Sequence, residues 1–273
     1  MKILIAVDME GITGVTTWDH VTPGHAEYSR FRKLMTQDVN AAVRGAMDAG
    51  ADEVIIADGH WNGSNILVEE LDSRARLNTG SPSPFSMMQG IDESVSGVMF
   101  VGYHARNGTP NAILDHTWSS RTVANVWLND ILTGEYGLNA AVAGHFGVPV
   151  IMVSGDQTAC AQVADLLGGI EMAVVKQATG RFAAECLTPQ TSQELIRLAA
   201  EQAVGRLAEG GVTDAFLLDV PIRVAIEFFT SDMADRAMRI PFTERDGTRV
   251  SFTAQEMESV YNGFRAMVML ASG

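Results

Sequence analysis

The sequence predicts an α/β protein in which helices flank a mostly parallel sheet, with a smaller α+β layer at the C-terminus. Over the first two thirds of the 273 residues, short apolar runs alternate with amphipathic stretches, which is typical of parallel strands joined by helices. The pattern changes near Pro189, where a longer helix precedes strand and hairpin signals. The hydrophobic fraction of 47% is sufficient for a full core.

The elements of the larger part are predicted in turn from apolar runs and helical spacing. We expect strands at residues 2–7, 53–57, 97–103, 124–128, 149–153 and 172–175. We expect helices at residues 36–49, 138–146 and 158–167, the first of which ends before Gly50. Because the strands are short and apolar, we expect one sheet that helices cover on both faces.

The C-terminal layer begins with a helix over residues 189–208, for which Thr188 is the predicted N-cap. A strand follows at 220–229, and then a hairpin over 239–252 that turns at Asp246-Gly247. Thr253 and Glu256 predict a capping box for the last helix. Its apolar stripe is Met257, Tyr261, Phe264 and Val268. We therefore predict a domain over residues 1–208 and a smaller region over 209–273, either separate or an extension of the first.

Charge and composition restrict the partners of the protein. The net charge of −14 disfavours nucleic acid, whose phosphates an acidic surface repels. The apolar runs are too short to span a membrane, and Asp8 and Glu10 follow the first run where a signal peptide would need a cleavage site. Cys160 and Cys186 are too few for a disulfide framework and predict buried free thiols. We expect a cytoplasmic protein with no membrane partner.

Polar side chains follow three of the predicted strands. Asp8 and Glu10 follow the first strand, Asp58 and His60 the second, and His104 the third. Because open α/β sheets bind ligands at the carboxyl ends of their strands, we expect these side chains to meet at one edge of the sheet. Two imidazoles with several carboxylates and no cysteine suit zinc, and also manganese or cobalt.

Each of these residues also has a structural explanation when it is taken alone. Asp8 or Asp58 after a strand often caps a helix, and a single histidine is more often a hydrogen-bonded structural group than a ligand. The convergence of three strand ends favours a metal site over these separate explanations. The sequence contains no dinucleotide-binding fingerprint, P-loop, H-E-x-x-H or G-x-S-x-G motif.

Seven segments of the first 180 residues resemble the zinc-dependent D-aminopeptidases. They are residues 7–14 (VDMEGITG), 58–60 (DGH), 84–90 (PFSMMQG), 101–105 (VGYHA), 134–140 (GEYGLNA), 150–156 (VIMVSGD) and 174–177 (VVKQ). The family usually has serine where Gly59 stands, a change that keeps His60. The chain beyond about residue 210 resembles the family more loosely.

The resemblance implies a metal-dependent aminopeptidase that hydrolyses short peptides, with N-terminal D-amino acids such as D-alanine. The implied ligands of two zinc ions per subunit are Asp8, Glu10, His60, His104 and Glu135. Asp8 would be shared by the two ions. Glu135 by itself would pass for a first-turn helix carboxylate that the helix dipole favours.

The resemblance also implies that His116, which follows the G-Y-H-A segment, is a catalytic residue. It would stabilise the oxyanion or protonate the leaving amine. Its neighbours Leu114, Asp115 and Thr117 differ from the small residues of the family pattern, which points to a different substrate preference. The family resemblance further implies a homo-oligomer, a ring of ten subunits with enclosed active sites.

Three alternatives remain open at this point. The same metals could serve a phosphoesterase or an amidase with a non-peptide substrate, for which Arg106 and Arg121 are the candidate phosphate-binding residues. A metal-stabilised structural or binding protein would have closed coordination spheres. A nucleotide-binding protein could use Gly11 and Gly14, but the carboxylates beside them disfavour a phosphate.

Overall fold

The computed structural model describes residues 1–211 and 214–273. Within these residues the strands are β1 (Lys2–Val7), β2 (Glu53–Asp58), β3 (Ala75–Asn78), β4 (Gly97–Tyr103), β5 (Val123–Leu128), β6 (Ile131–Thr133), β7 (Val150–Asp156), β8 (Glu171–Gly180), β9 (Ala183–Cys186), β10 (Ile222–Phe228), β11 (Glu244–Asp246) and β12 (Arg249–Ala254). The α-helices are α1 (Trp18–Val21), α2 (Tyr28–Asp48), α3 (Glu135–His145), α4 (Gln157–Leu167), α5 (Pro189–Ala208), α6 (Ser231–Ala237) and α7 (Met257–Ser272).

The larger sheet has the strand order β3-β2-β1-β4-β7-β8-β9. Its neighbouring strands are parallel except for β9, which runs antiparallel to β8. The predicted fold class is confirmed. The chain adds β2 and β3 on one side of β1 and β4, β7 and β8 on the other, so the direction of winding reverses between β1 and β4. In open α/β sheets a binding crevice forms at such a switch point.

Both faces of this sheet are buried, because the side chains of β1 alternate between two cores. Ile3, Ile5 and Val7 pack in the core beneath α2 and α5, whereas Leu4 and Ala6 pack in the opposite core. This double burial explains why the parallel strands read as continuous apolar runs.

The second sheet is antiparallel, with the order β11-β12-β10-β5-β6. The strand predicted at 124–128 is present as β5. The prediction that it belongs to the parallel sheet was wrong, because β5 lies in the antiparallel sheet. Its burial is only partial, and such strands suit an antiparallel sheet with one solvated face. The predicted hairpin turning at Asp246-Gly247 is confirmed as β11 and β12. Because β5 and β6 precede residue 209, this sheet combines chain from both sides of the predicted domain boundary.

Three local predictions require correction. The helix predicted at 36–49 begins at Tyr28, since Phe31 and Met35 extend its buried face. The capping box is wrong, because Thr253 lies in β12 opposite Arg223 and the last helix begins only at Met257. Cys160 is buried, but Cys186 at the end of the edge strand β9 is exposed.

Among the described residues, no helix is both long and apolar enough to cross a membrane.

Candidate functional site

The carboxyl ends of three adjacent strands bring together four of the predicted side chains. Asp8 directly follows β1 and Glu10 lies in the turn after it, while His60 follows β2 and His104 follows β4. All four side chains are buried. They lie at the switch point of the sheet, where the pattern of strand ends predicts a site.

Glu135 and His116 reach the same place from outside the parallel sheet. Glu135 is the first residue of α3, after β6 of the second sheet, and His116 lies in the irregular segment between β4 and β5. Both are buried. The structure therefore brings all six predicted site residues together, and their roles as ligands and catalytic group stay predictions.

Asp8 lies between two groups of side chains. Its Oδ1 is 3.1 Å from His60 Nδ1, which is also 3.2 Å from Glu10 Oε2. Its Oδ2 is 3.2 Å from His104 Nε2, which is also 3.1 Å from Glu135 Oε1. Each carboxylate oxygen of Asp8 thus faces one histidine and one glutamate.

The three imidazoles are oriented by backbone carbonyls on the side away from the carboxylates. His60 Nε2 donates to the carbonyl of Val21 at 2.7 Å. His104 Nδ1 donates to the Ala105 carbonyl at 3.0 Å, and His116 Nδ1 donates to the Leu114 carbonyl at 2.8 Å. A carbonyl can only accept, so in a neutral ring the opposite nitrogen is unprotonated and faces the site. Metal-bound histidines are typically held in this way.

His116 stacks on His104, with ring centroids 4.0 Å apart. Its Nε2 lies 3.7 Å from Glu135 Oε1 and 4.0 Å from Glu10 Oε1, so it faces the centre of the site. The edge of Trp18 packs against it at a centroid distance of 5.5 Å. His116 is therefore fixed with one nitrogen free to exchange a proton.

The negative charge of the carboxylates controls the ionisation of their neighbours. Burial lowers the pKa of His60 and of His104, but the charges of Glu10, Glu135 and Asp8 outweigh it and raise both pKa values well above the usual range. Burial disfavours the Asp8 carboxylate, yet its contacts with the two histidines hold its pKa well below normal. A cluster that draws protons onto buried imidazoles this strongly is also suited to a metal cation, which competes for the same nitrogens.

The donor set fits a metal ion on two further observations. Glu10 Oε2 and His104 Nε2 are buried and lack a well-oriented hydrogen bond within the described residues, although charged neighbours lie close. Ligand atoms from Asp8, Glu10 and His104 lie within 4.8 Å of one another, as do ligand atoms from His104, His116 and Glu135. Nitrogen and carboxylate ligands in this number suit zinc.

Asp58 does not join this cluster, although it also ends a strand. Its oxygens accept hydrogen bonds from the backbone of Asn65 and Ile66 and from the Asn65 side chain. The same amide donates to the carbonyl of His60 at 2.6 Å. Asp58 therefore shapes the loop that carries His60.

Two neighbours of His116, Asp115 and Thr117, stabilise the segment that carries it. Asp115 accepts from the backbone of Gly108 and Thr109 and pairs with Arg181 at 2.9 Å. Thr117 Oγ1 accepts from the backbone of residue 107 at 3.2 Å. These contacts hold the segment that carries His116 in place.

Two residues beside the site, Trp18 and Lys176, were not among the predicted site residues. Trp18 lies in the short helix α1, which has too few residues to give a periodic signal. Lys176 is a buried lysine in β8 that directly follows the apolar run at residues 172–175, and a charged residue that continues a buried strand was a signal of an unusual role. Lys176 contacts the turn that carries Glu10.

Comparison with known proteins gives one consistent result. The family model Peptidase_M55, described as D-aminopeptidase, matches residues 1–266. The chain is 37% identical over 273 residues to the D-aminopeptidase of Bacillus subtilis (strain 168), covering 99% of this chain and 98% of that protein. It also matches the solved structure of the Zn-dependent D-aminopeptidase DppA from Bacillus subtilis, described as a self-compartmentalizing protease. That match has a TM-score of 0.96 and 35% identity, and covers 100% of this chain and 98% of the other.

Proposed function

This chain belongs to the D-aminopeptidase family, and from that premise we propose that it removes N-terminal D-amino acids such as D-alanine from short peptides. We propose that two zinc ions per subunit take part, held by Asp8, Glu10, His60, His104 and Glu135. The relative of known structure is described as zinc-dependent, which supports the choice of metal.

The position of Asp8 is the observation that carries the proposal. Its two oxygens face different histidines, His60 at 3.1 Å and His104 at 3.2 Å, and each histidine has its own glutamate within 3.2 Å. These distances support two groups of ligands: Asp8, His60 and Glu10 would hold one ion, and Asp8, His104 and Glu135 would hold the other. Asp8 would belong to both groups.

Bound there, zinc supplies Lewis acidity, which polarises a carbonyl group and eases the ionisation of water. The protein contributes fixed geometry, because every ligand side chain is buried and the second nitrogen of each imidazole is bonded to the backbone. Ligands that need no rearrangement lower the barrier to the chemical step.

His116 is the proposed proton carrier of the reaction. Its Nε2 faces the centre of the site, and its Nδ1 is occupied by the Leu114 carbonyl. In hydrolysis the water oxygen bonds to the carbonyl carbon and the C–N bond breaks. His116 accepts the proton that water releases, at Nε2, and passes it to the leaving nitrogen.

We also propose that the protein works as a cytoplasmic ring of ten subunits whose active sites are enclosed. The description of the Bacillus relative as self-compartmentalizing supports an assembly of this kind. Light scattering should then give a mass near ten times the chain mass of 29.3 kDa. Enclosed sites predict that dipeptides are cleaved and that folded proteins are not.

The decisive experiment measures the release of free amino acid from D-Ala-D-Ala and from L-Ala-L-Ala. We expect cleavage of the D-peptide, loss of that activity after chelation, and recovery when zinc is restored. Elemental analysis of the active protein should give two zinc ions per chain. Protein that holds two zinc ions and cleaves neither peptide would contradict the proposed substrate, and amides and phosphoesters would be tested next.

A further inference from the structure

Lys176 is a buried cation that the reaction described above does not use. It lies in β8 and is 1% exposed. The register between β7 and β8 shifts at Gly155 and Asp156, so that Lys176 comes to lie opposite Asp156. A register shift of this kind changes which side chains face one another across the two strands. The chain has only two other lysines, Lys2 and Lys33.

The ammonium group of Lys176 donates three hydrogen bonds to one short segment, residues 8–15, which we call the β1 turn. Nζ lies 2.7 Å from the carbonyl oxygen of Glu10, 2.9 Å from that of Ile12 and 2.8 Å from that of Val15. An ammonium group has three hydrogens, and all three are used. The β1 turn carries both Asp8 and Glu10.

Other contacts hold the same turn from different sides. Thr13 N donates to the buried carboxyl of Asp38 at 3.0 Å, and Gly11 N donates to the Gly102 carbonyl at 2.8 Å. Among these contacts, Lys176 alone bonds three separate points of the turn. Removing it would leave the carbonyl groups of Glu10 and Val15 without a donor among the described residues, which is unfavourable in the protein interior, whereas the Ile12 carbonyl would keep its bond from Val15 N.

Burying the charged ammonium group of a lysine at this position is energetically unfavourable. Burial lowers the pKa of Lys176 to about 8, against the opposing charges of Asp156, Asp38 and Glu10. A buried ammonium is tolerated because its hydrogen bonds are complete and its geometry is fixed. An apolar side chain of similar length would fill the same space without organising the turn.

We propose that Lys176 is a positioning residue that fixes the β1 turn so that Asp8 and Glu10 are presented to the metal ions. This inference rests on the proposed function, because it assumes that the two carboxylates bind metal. Lys176 acts through the backbone and touches neither substrate nor ion.

The test compares zinc affinity in the full-length protein, measured by competition with a chromophoric chelator. Lys176→Met keeps the length of the side chain and removes its three donors. We expect zinc affinity to fall about 10–100-fold, the usual effect of losing a group that orients a ligand. Lys33→Met, which removes an exposed lysine, should bind zinc like the wild type.

A second control separates positioning from general loss of stability. Val204→Ala creates a cavity in the core beneath α5, where Val204 is fully buried. We expect it to lower the melting temperature without a comparable loss of zinc affinity. The proposal would be overturned if Lys176→Met bound zinc as tightly as the wild type. It would also be overturned if Lys176→Met and Val204→Ala had the same melting temperature and Lys176→Met lost no more zinc affinity than Val204→Ala.

Rescue keeps the proposal testable if Lys176→Met does not fold. Lys176→Ala refolded with ethylammonium should regain zinc affinity, because the added cation can occupy the space and donate to the same carbonyls. Refolded protein whose zinc affinity does not respond to ethylammonium would count against the proposal.

Hydrogen exchange in the metal-free protein provides a readout that does not depend on zinc. We expect the amides of residues 11–15 to exchange at least tenfold faster in Lys176→Met than in the wild type. If the wild type neither binds zinc nor cleaves peptides, the proposed function fails, while this exchange difference still tests whether Lys176 organises the turn. Equal exchange rates would refute that role.

Discussion

At the scale of single residues, Asp8 and Glu135 should differ in the number of zinc ions that each helps to bind. Asp8 faces both histidines, whereas Glu135 faces His104 and His116. If Asp8 is shared, a change at Asp8 weakens both sites and a change at Glu135 weakens one. The two variants therefore distinguish a shared ligand from two independent sites.

Glu135→Gln should retain about one zinc ion per chain, whereas Asp8→Asn should retain none after dialysis. Loss of an orienting contact alone costs about 10–100-fold, so loss of a ligand should lower turnover by at least about 100-fold. Elemental analysis and dipeptide hydrolysis measure the two effects. Glu227→Gln, at a carboxylate bonded to Asn125 in the second sheet, is the matched control. Two zinc ions retained in Glu135→Gln would exclude it as a ligand.

His116→Ala should keep its zinc and lose activity. Proton transfer by a positioned side chain typically contributes about 10²–10⁴-fold to the rate, and turnover should fall within that range. Zinc content measured on the same sample decides the role of the residue. A loss of zinc in this variant would make His116 a ligand, and unchanged turnover would remove it from the mechanism.

Asp38, which accepts a hydrogen bond from Thr13 of the β1 turn, predicts a pH dependence of stability in the metal-free protein. Burial raises its pKa from 3.8 to about 6, and its Oδ1 has no hydrogen-bond partner among the described residues. Because the folded-state pKa is raised, the stabilisation by neutral Asp38 is complete below pH 3.8 and is lost as the pH rises through about 6.

In metal-free protein, the wild type should therefore lose stability relative to Asp38→Asn as the pH rises from about 4 to 7. The shift in the pKa of Asp38 from 3.8 to about 6 corresponds to a loss of about 3 kcal/mol in the free energy of unfolding. Urea unfolding at several pH values measures the free energies. Asp130→Asn, at an exposed side chain, controls for the change to an amide. A wild type that gained stability relative to Asp38→Asn over this range would reverse the predicted sign.

At the scale of elements, the site depends on the close approach of the β1 turn to the end of β4. A Cβ atom added at Gly11 would overlap the backbone of Gly102 and Tyr103, and one added at Gly102 would overlap the Asp8 carbonyl. Gly102 also has a positive φ of 76°. Only glycine allows Asp8 and His104 to approach from neighbouring strands at this distance.

Gly11→Ala should destabilise the protein by about 3 kcal/mol, at the upper end for overpacking, because backbone cannot move aside as a side chain can. It should also weaken zinc binding, since it separates the β1 turn from His104. Gly205→Ala is the matched control: it lies in α5 with open space around it and should stabilise the helix by about 0.5–1 kcal/mol. Chemical denaturation and chelator competition measure both effects, and equal behaviour of the two variants would be inconsistent with the close approach.

Among the parallel strands, those that the sequence predicts well are almost fully buried. Residues 97–103 are buried throughout and were predicted with the bounds of β4. The strand β3 (ARLN) lacks an apolar run and is extended because it pairs with β2, which is a long-range effect. The short edge strand β9 is likewise extended because it pairs with β8.

The same distinction applies to the site. Asp8, His60 and His104 are predictable because each follows a parallel strand, and parallel strands end at one edge. Glu135 and His116 came only from family resemblance, since they reach the site from a helix and from an irregular segment whose position no local pattern specifies. Lys176 was missed because its partners are about 160 residues away in the chain.

At the scale of the whole molecule, the two sheets share one hydrophobic core. Phe100 of the parallel sheet, Val126 and Ile226 of the antiparallel sheet, and Phe264 of α7 belong to the same buried cluster. Trp118 packs edge-on against Phe264 at a centroid distance of 5.1 Å. We propose on these grounds that residues 209–273 extend the larger domain.

A shared core predicts that the chain unfolds in one cooperative transition. Phe264→Ala should lower the stability of the whole molecule by about 3–5 kcal/mol, because it opens a cavity where both sheets meet. Calorimetry of metal-free protein should show a single transition in wild type and variant, shifted to lower temperature in the variant. Tryptophan fluorescence and far-ultraviolet circular dichroism should follow the same curve. Two transitions, of which Phe264→Ala shifts only one, would instead establish residues 209–273 as a separate folding unit.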